Sequence, residues 1–374
     1  MTTCPDINII MIAGMTTATA RTATMTIAAT DTHTQTDTNT EMSTDTGAAN
    51  MTTKVAAGES PYRVELSPPD ISTYRVGNTG VEYITTFDSG VAGPHVMVNA
   101  VTHGNEICGA IAVDRLFKMN LRPTRGKLSL SFANVEAYHA WDASHPHGNR
   151  YVDEDFNRVW TPATLDGPLD SVELRRARLM RPIIDDVDLL LDIHSMHDPH
   201  KPVMICGALE KGINFAREVG LPEFIVSDKG HANGTRMRDY GGFGEPASAK
   251  NALLVECGQH WEAAAEDVAW QCTWRFLQAT KCVDRALAES QIDPTPLPAP
   301  KVVRVTAALI ANSADYRFRE GTKGLDIIAR AGDVIAHDGG KPVLAPYDNC
   351  VLIMPTLVHV KPGLTVVRIG QLNS

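Results

Sequence analysis

An α/β fold is predicted: a mostly parallel or mixed sheet flanked by helices, followed by a smaller C-terminal all-β domain. Three observations predict it. Short apolar runs recur between residues 81 and 255, with helix-period patterns between them. A Pro-rich stretch, DPTPLPAP at 293–300, then interrupts the chain. Beyond it the sequence is Val/Ile-rich, dotted with Gly, Pro and Asp, and shows no long helical period.

Taken in order, each element has its own warrant. Residues 81–87 (VEYITTF) and 95–101 (HVMVNAV) are apolar or β-branched runs of strand length. Residues 107–119 place Ile107, Ala110, Ile111, Val113, Leu116 and Phe117 at helical spacing, and Arg122-Pro123 ends the pattern. Residues 128–133 (LSLSFA) are a further strand. Residues 172–187 predict a helix with Leu174, Leu179, Ile183 and Ile184 on its buried side. The run LLLDI at 189–193 predicts a strand leading into His194, and 203–206 and 253–255 predict short strands. Residues 263–287 predict one helix offering Trp270, Trp274, Leu277 and Val283 to the core. The C-terminal strands are expected within 302–310, 326–335 and 351–369.

The domain limits follow. Residues 1–55 form a Thr-rich leader, DTHTQTDTNT at its densest, with too little apolar surface to fold and therefore expected to be disordered. Its run INIIMIAGM lacks the basic n-region of a signal peptide. Translation starting at Met42 or Met51 would explain the leader without export. Residues 56–292 are the expected catalytic domain, 293–300 the linker, and 301–374 the β domain.

Composition excludes some functions. The chain has 374 residues and a formal net charge of -10, which disfavours nucleic acid as a partner. No run is long enough to span a bilayer. Seven cysteines, scattered and odd in number, argue for a reducing, cytoplasmic setting over a disulfide framework. A homo-oligomeric state stays open.

Chemistry concentrates in four motifs. In HVMVNAVTHGNEICG, a buried strand runs into His103 and Glu106, which can offer a metal an imidazole and a carboxylate. A third ligand must come from elsewhere, and His194 in LLLDIHS ends another strand, with Asp192 beside it as an orienting group. In RYVDEDFNR, Arg150 and Arg158 either face an anion, which guanidinium binds bidentately, or pair with Asp153, Glu154 and Asp155 in a solvated turn. In ALLVECGQ, Glu256 ends an apolar strand, where an unpaired carboxylate is costly unless it is put to use in a cleft.

HGNE, RYVDEDFNR, DIHS and VECGQ, in that order, make the chain resemble the succinylglutamate desuccinylase/aspartoacylase family, zinc-dependent amide hydrolases related to the zinc carboxypeptidases. The resemblance runs from about residue 62 to the C-terminus. It implies a zinc carboxypeptidase-like fold and one zinc ion per chain, held by His103, Glu106 and His194. It implies Glu256 as general base and acid, Arg150 as the group that polarises the scissile carbonyl, and Asn157 with Arg158 as the holders of a substrate carboxylate. The expected substrate is a small N-acyl amino acid. A peptide C-terminus (carboxypeptidase action) and a non-catalytic zinc-binding module are the alternatives. The family's further arginine before the catalytic glutamate has no clear counterpart: Arg236 and Arg238 stand upstream of it. Tyr347 is the weakest candidate for a tyrosine reaching in from the β domain. His145, His147, His197 and His200 read as loop histidines, with a second metal site as the alternative, His260 as a pocket neighbour, Cys108 as helix packing, and Cys257 as no nucleophile.

Overall fold

A computed structural model describes residues 9–11, 62–230, 233–358 and 360–373. Of the leader it describes β1 (Ile9–Met11), which pairs antiparallel with a C-terminal strand, Lys301–Ile310. The rest of the expected disordered segment, Met42 and Met51 included, lies outside the described residues.

After the leader the chain runs β2 (Ile84–Asp88), β3 (His95–Ala100), α1 (Ile107–Lys118), β4 (Lys127–Phe132), α2 (Val135–His139), α3 (Pro162–Leu165), α4 (Val172–Asp186), β5 (Leu189–Met196), β6 (Val203–Ile205), α5 (Glu210–Val219), β7 (Phe224–Ser227), β8 (Asn251–Gln259), α6 (Ala263–Thr280) and α7 (Arg285–Gln291). The C-terminal region adds β9 (Lys301–Ile310), β10 (Tyr316–Phe318), β11 (Ile327–Ile328), β12 (Val334–Asp338), β13 (Lys341–Leu344), β14 (Cys350–Ile353) and β15 (Thr365–Asn373).

The main sheet has the order β11-β14-β15-β9-β7-β6-β8-β5-β3-β4-β2. β4, β3, β5 and β8 are mutually parallel, whereas β6 runs antiparallel to β8, so the sheet is mixed. β9 pairs in parallel with β7, and the C-terminal strands therefore extend the main sheet. β10, β12 and β13 form a small separate sheet.

Strand periodicity sorts side chains to two faces. Val96, Val98 and Ala100 of β3, Leu191 and Ile193 of β5, and Leu253, Val255 and Cys257 of β8 join the core with α1, α5 and α6. Met97, Leu190 and Ala252 point the other way, into the core with Leu174, Ala177, Met180 and Ile184 of α4. Asp192, His194 and Glu256 share the parity of that second face. The same period that builds the core therefore sends them past α4 to one side of the sheet.

Three local expectations change. Residues 81–83 form a turn before β2, where Tyr83 takes a left-handed φ of 60°. The helix expected over 263–287 breaks at Lys281, which caps α6 with a left-handed φ of 56°. Leu179 is 58% exposed. It lies five residues from Leu174, about 140° around the helix and off the 174–177–180–184 stripe.

Candidate active site

His103 follows β3, across a backbone reversal in which Val101 adopts a φ of 63°. Gly104 is needed there: a Cβ would lie 2.4 Å from both the Ala137 carbonyl carbon and the Asn149 oxygen. Its N–H donates to the Arg150 carbonyl at 3.0 Å, which ties HGNE to the arginine loop. Glu106 then sits at the N-cap of α1. His194 lies on β5, paired in register with Glu256 on the neighbouring parallel strand β8. Carboxyl ends of parallel strands are where open α/β sheets place their sites.

The three expected ligands meet. His103 Nδ1 is 2.7 Å from Glu106 Oε1, and His194 Nδ1 is 2.8 Å from Glu106 Oε2. One candidate ligand atom from each residue lies within 4.8 Å of the others, and all three residues are buried. The far nitrogens are taken by carboxylates. His194 Nε2 is 2.8 Å from Asp192 Oδ2, and His103 Nε2 is 2.9 Å from Asp155 Oδ1. Asn99 Nδ2 and Thr102 Oγ1 in turn donate to Asp192 Oδ1, each at 2.8 Å. Two imidazoles with their outward nitrogens fixed and their inward nitrogens facing one carboxylate make a donor set suited to a borderline divalent cation. Burial works against the Glu106 charge, but His103 and His194 outweigh it and hold the carboxyl well below the usual range.

Glu256 has a different environment. Burial pushes its carboxyl up to about 8, and among the described residues its Oε2 has no hydrogen-bond partner. A buried, unpartnered carboxylate oxygen beside a potential metal group is poised to exchange a proton with something that enters the site.

The arginine loop is held from below. Glu173 on α4 accepts hydrogen bonds from the N–H groups of Val152 (2.7 Å), Asp153 (3.1 Å) and Glu154 (3.2 Å). Phe156 and Trp160 anchor it in the α4 core. Arg150 Nη1 donates to Glu106 Oε1 at 3.2 Å, and its Nη2 lies 3.4 Å from Asp155 Oδ2. Arg150 and Arg158 both line the cavity over the ligand group, and both also lie beside Asp155, at 3.4 and 3.8 Å, so the facing and the pairing expected of them occur together. Asn157 lines it too; its Oδ1 accepts from Met237 N at 2.9 Å, leaving Nδ2 to donate.

The family model for the succinylglutamate desuccinylase/aspartoacylase catalytic domain matches residues 92–269, the segment that carries all four motifs. Those residues are similar to the catalytic domain of the succinylglutamate desuccinylase/aspartoacylase family. The family is one of deacylases. No curated protein matches the chain in sequence. Among solved structures, an aspartoacylase family protein from Mesorhizobium loti is 17% identical with a TM-score of 0.56, over 79% of this chain and 90% of that one. Succinylglutamate desuccinylase from Vibrio cholerae is 18% identical with a TM-score of 0.55, over 78% and 85%. The product-bound ectoine utilization protein EutE from Ruegeria pomeroyi is 15% identical with a TM-score of 0.57, over 79% and 92%. These likenesses establish the shared fold.

Sequence reasoning named Arg236 without a role and missed Arg368 among the residues that line this cavity. Arg236 lines it, with its guanidinium donating to Asp228 Oδ1 at 2.6 Å and Asp239 Oδ2 at 2.7 Å. Arg368 of β15 lines it as well, 3.6 Å from Asp228 Oδ2. Arg238, by contrast, is absorbed by the Ala252 and Cys206 carbonyls. Tyr347 is bonded to Thr306 and does not line the cavity. Asp155 carried a signal, since it sits inside RYVDEDFNR, but nothing in its spacing distinguished an orienter of His103 from a partner for arginine. His260 shares a 2.8 Å hydrogen bond with Ser195 Oγ, and burial lowers its pKa to about 3, so it stays neutral.

Proposed function

We propose that the chain is a zinc-dependent hydrolase that cleaves the amide bond of an N-acyl amino acid or a related small carboxylate-bearing amide. The observation that carries the reading is Glu256, a buried carboxyl with an unpartnered oxygen, in register with His194 and facing the His103–Glu106–His194 group.

His103, Glu106 and His194 would hold one zinc ion. When bound there, zinc supplies Lewis acidity, polarising a carbonyl and lowering the pKa of water toward neutrality. Glu256 takes the proton of the attacking water and delivers it to the leaving amine; its raised pKa suits it to both halves of that transfer. Arg150 faces the developing oxyanion, a contact that strengthens as charge builds. Arg158 and the Asn157 amide hold the carboxylate of the amino acid and so fix the amide's position. Burial lowers the Arg158 pKa to about 10, which leaves it cationic at neutral pH. Asp192 and Asp155 orient the two imidazoles. No helix among the described residues is long and apolar enough to cross a membrane. We place the enzyme in the cytoplasm on the free, buried state of its six described cysteines.

The test is amine release from a panel of N-acyl amino acids compared with blocked dipeptides. Release from the N-acyl amino acids supports the reading. Cleavage confined to the dipeptides would make the protein a carboxypeptidase, and cleavage of neither would make it a binding module.

A further inference from the structure

Two cavities meet at the candidate site. One, of about 300 Å³, contains Arg158, Arg236 and Arg368. The other, of about 180 Å³, lies along residues 195–200 (SMHDPH), which the mechanism does not use. Arg150, Glu256, Met354 and Thr356 line both, so they form the partition across which a bound amide would lie.

The two differ sharply in charge. In the larger cavity Arg236 and Arg368 pair with one buried carboxylate behind its wall, Asp228, while Arg158 pairs with Asp155. The smaller is walled by Met196, Pro199, Met354 and Pro355. Among the described residues that line it, Arg150 is the one Lys or Arg, and that guanidinium already serves Glu106 and Asp155. Its own fixed charge is negative. Asp198 is held at its side by Tyr62 Oη at 2.7 Å and by Leu357 N at 3.2 Å. Burial opposes ionisation of Asp198, but His197, Tyr62 and the Leu357 N–H outweigh it and keep the carboxyl below its usual range.

The walls are also fixed. Met354 N donates to His200 Nε2 at 3.2 Å, and a Cβ on Gly324 would lie 1.6 Å from the His200 ring, so the imidazole is wedged between the loop and the C-terminal strands. This cavity is a rigid, small, partly apolar space with a like charge waiting for any anion that enters.

We infer that the smaller cavity receives the acyl half of the substrate and that it accepts an uncharged acyl group while rejecting a carboxylate-bearing one. The inference rests on the deacylase reading above, with the amino acid's carboxylate on the arginine side. An anionic acyl group would meet Asp198, and the basic side chains of this cavity are already engaged, His197 with Asp198 at 3.3 Å, His200 with Met354 N, and Arg150 with Glu106 and Asp155, so like-charge juxtaposition is unfavourable there.

The experiment compares N-acetyl, N-propionyl and N-succinyl derivatives of the same amino acids, using zinc-loaded full-length protein. The expected kcat/KM for the acetyl and propionyl compounds exceeds that for the succinyl compounds on the order of a hundredfold. Asp198→Asn should narrow the gap by roughly tenfold, by raising the succinyl values. If Asp198→Asn does not fold, calorimetric binding of the acetyl and succinyl compounds to Glu256→Gln gives the same comparison without turnover. Succinyl compounds hydrolysed or bound as well as the acetyl ones would overturn the inference and leave the deacylase reading standing. Failure to hydrolyse any member of the series would overturn the deacylase reading, and the inference with it.

Discussion

The carboxyl ends of β3, β5 and β8 and the C-terminal strands β9, β14 and β15 lie in one sheet but contribute in different ways. The first region is a tight polar knot in which His103, Glu106, His194 and Asp192 answer one another, while Glu256 Oε2 has no hydrogen-bond partner among the described residues. The second supplies a wall: Met354, Thr356 and Arg368 line the cavities. The difference separates chemistry from selection. Changes in the knot should abolish turnover or metal binding, and changes in the wall should alter which substrates are taken.

The largest effect belongs to the knot. His194→Ala should lose stoichiometric metal and all measurable hydrolysis, with metal read by elemental analysis; an unchanged metal content would remove His194 from the ligand set. Glu256→Gln should keep the metal while kcat falls on the order of 10²- to 10⁴-fold. Near-normal turnover in that variant would dissolve the distinction between Glu256 and its neighbours. Asp155→Ala should weaken metal affinity by roughly 10- to 100-fold, because it releases the outward nitrogen of His103. A competition titration with a chelator measures this, and unaltered affinity would reduce Asp155 to a partner of Arg150.

Glu256 also gives a pH signature. Its folded pKa of about 8 lies above its ordinary 4.5, so the folded, metal-free protein holds this proton more tightly than the unfolded chain. The corresponding stability is fully present below about pH 4.5 and is lost as pH rises through 8. The metal-free Glu256→Gln protein should therefore lose less stability between those limits, in denaturant melts, than the metal-free parent. A parallel pH dependence in the two proteins would contradict the assignment.

The smallest effect tests the wall. Leu352 is fully buried in the C-terminal core, and Leu352→Ala should cost about 2–5 kcal/mol. Since β9 is bonded to β7, the loss should appear in a single unfolding transition. Two separated transitions would mean that the C-terminal strands fold apart from the rest of the main sheet.

The same contrast explains what the sequence revealed. The knot was legible because strand ends are local: an apolar run that stops at His103, His194 or Glu256 announces itself, and period-2 alternation puts Asp192, His194 and Glu256 on one face. The wall was not. Arg368 lies in a Val/Ile-rich run, and its place depends on β15 pairing with β9 and β9 with β7, pairings that no local pattern encodes. Arg236 stood out in the sequence, but its role depends on Asp228 and Asp239 fixing it from two sides. Leu179 shows the opposite error, an apolar residue assigned inward by type when its angle on α4 sends it to solvent.

The most direct measurement of the central claim is metal dependence. The protein should be stripped with a chelator, assayed for amine release from N-acyl amino acids, and then titrated with zinc while bound metal is counted. The account predicts loss of activity on stripping and recovery that saturates at one zinc per chain, with no recovery in His194→Ala. Full activity in the stripped protein, or recovery in His194→Ala, would contradict it.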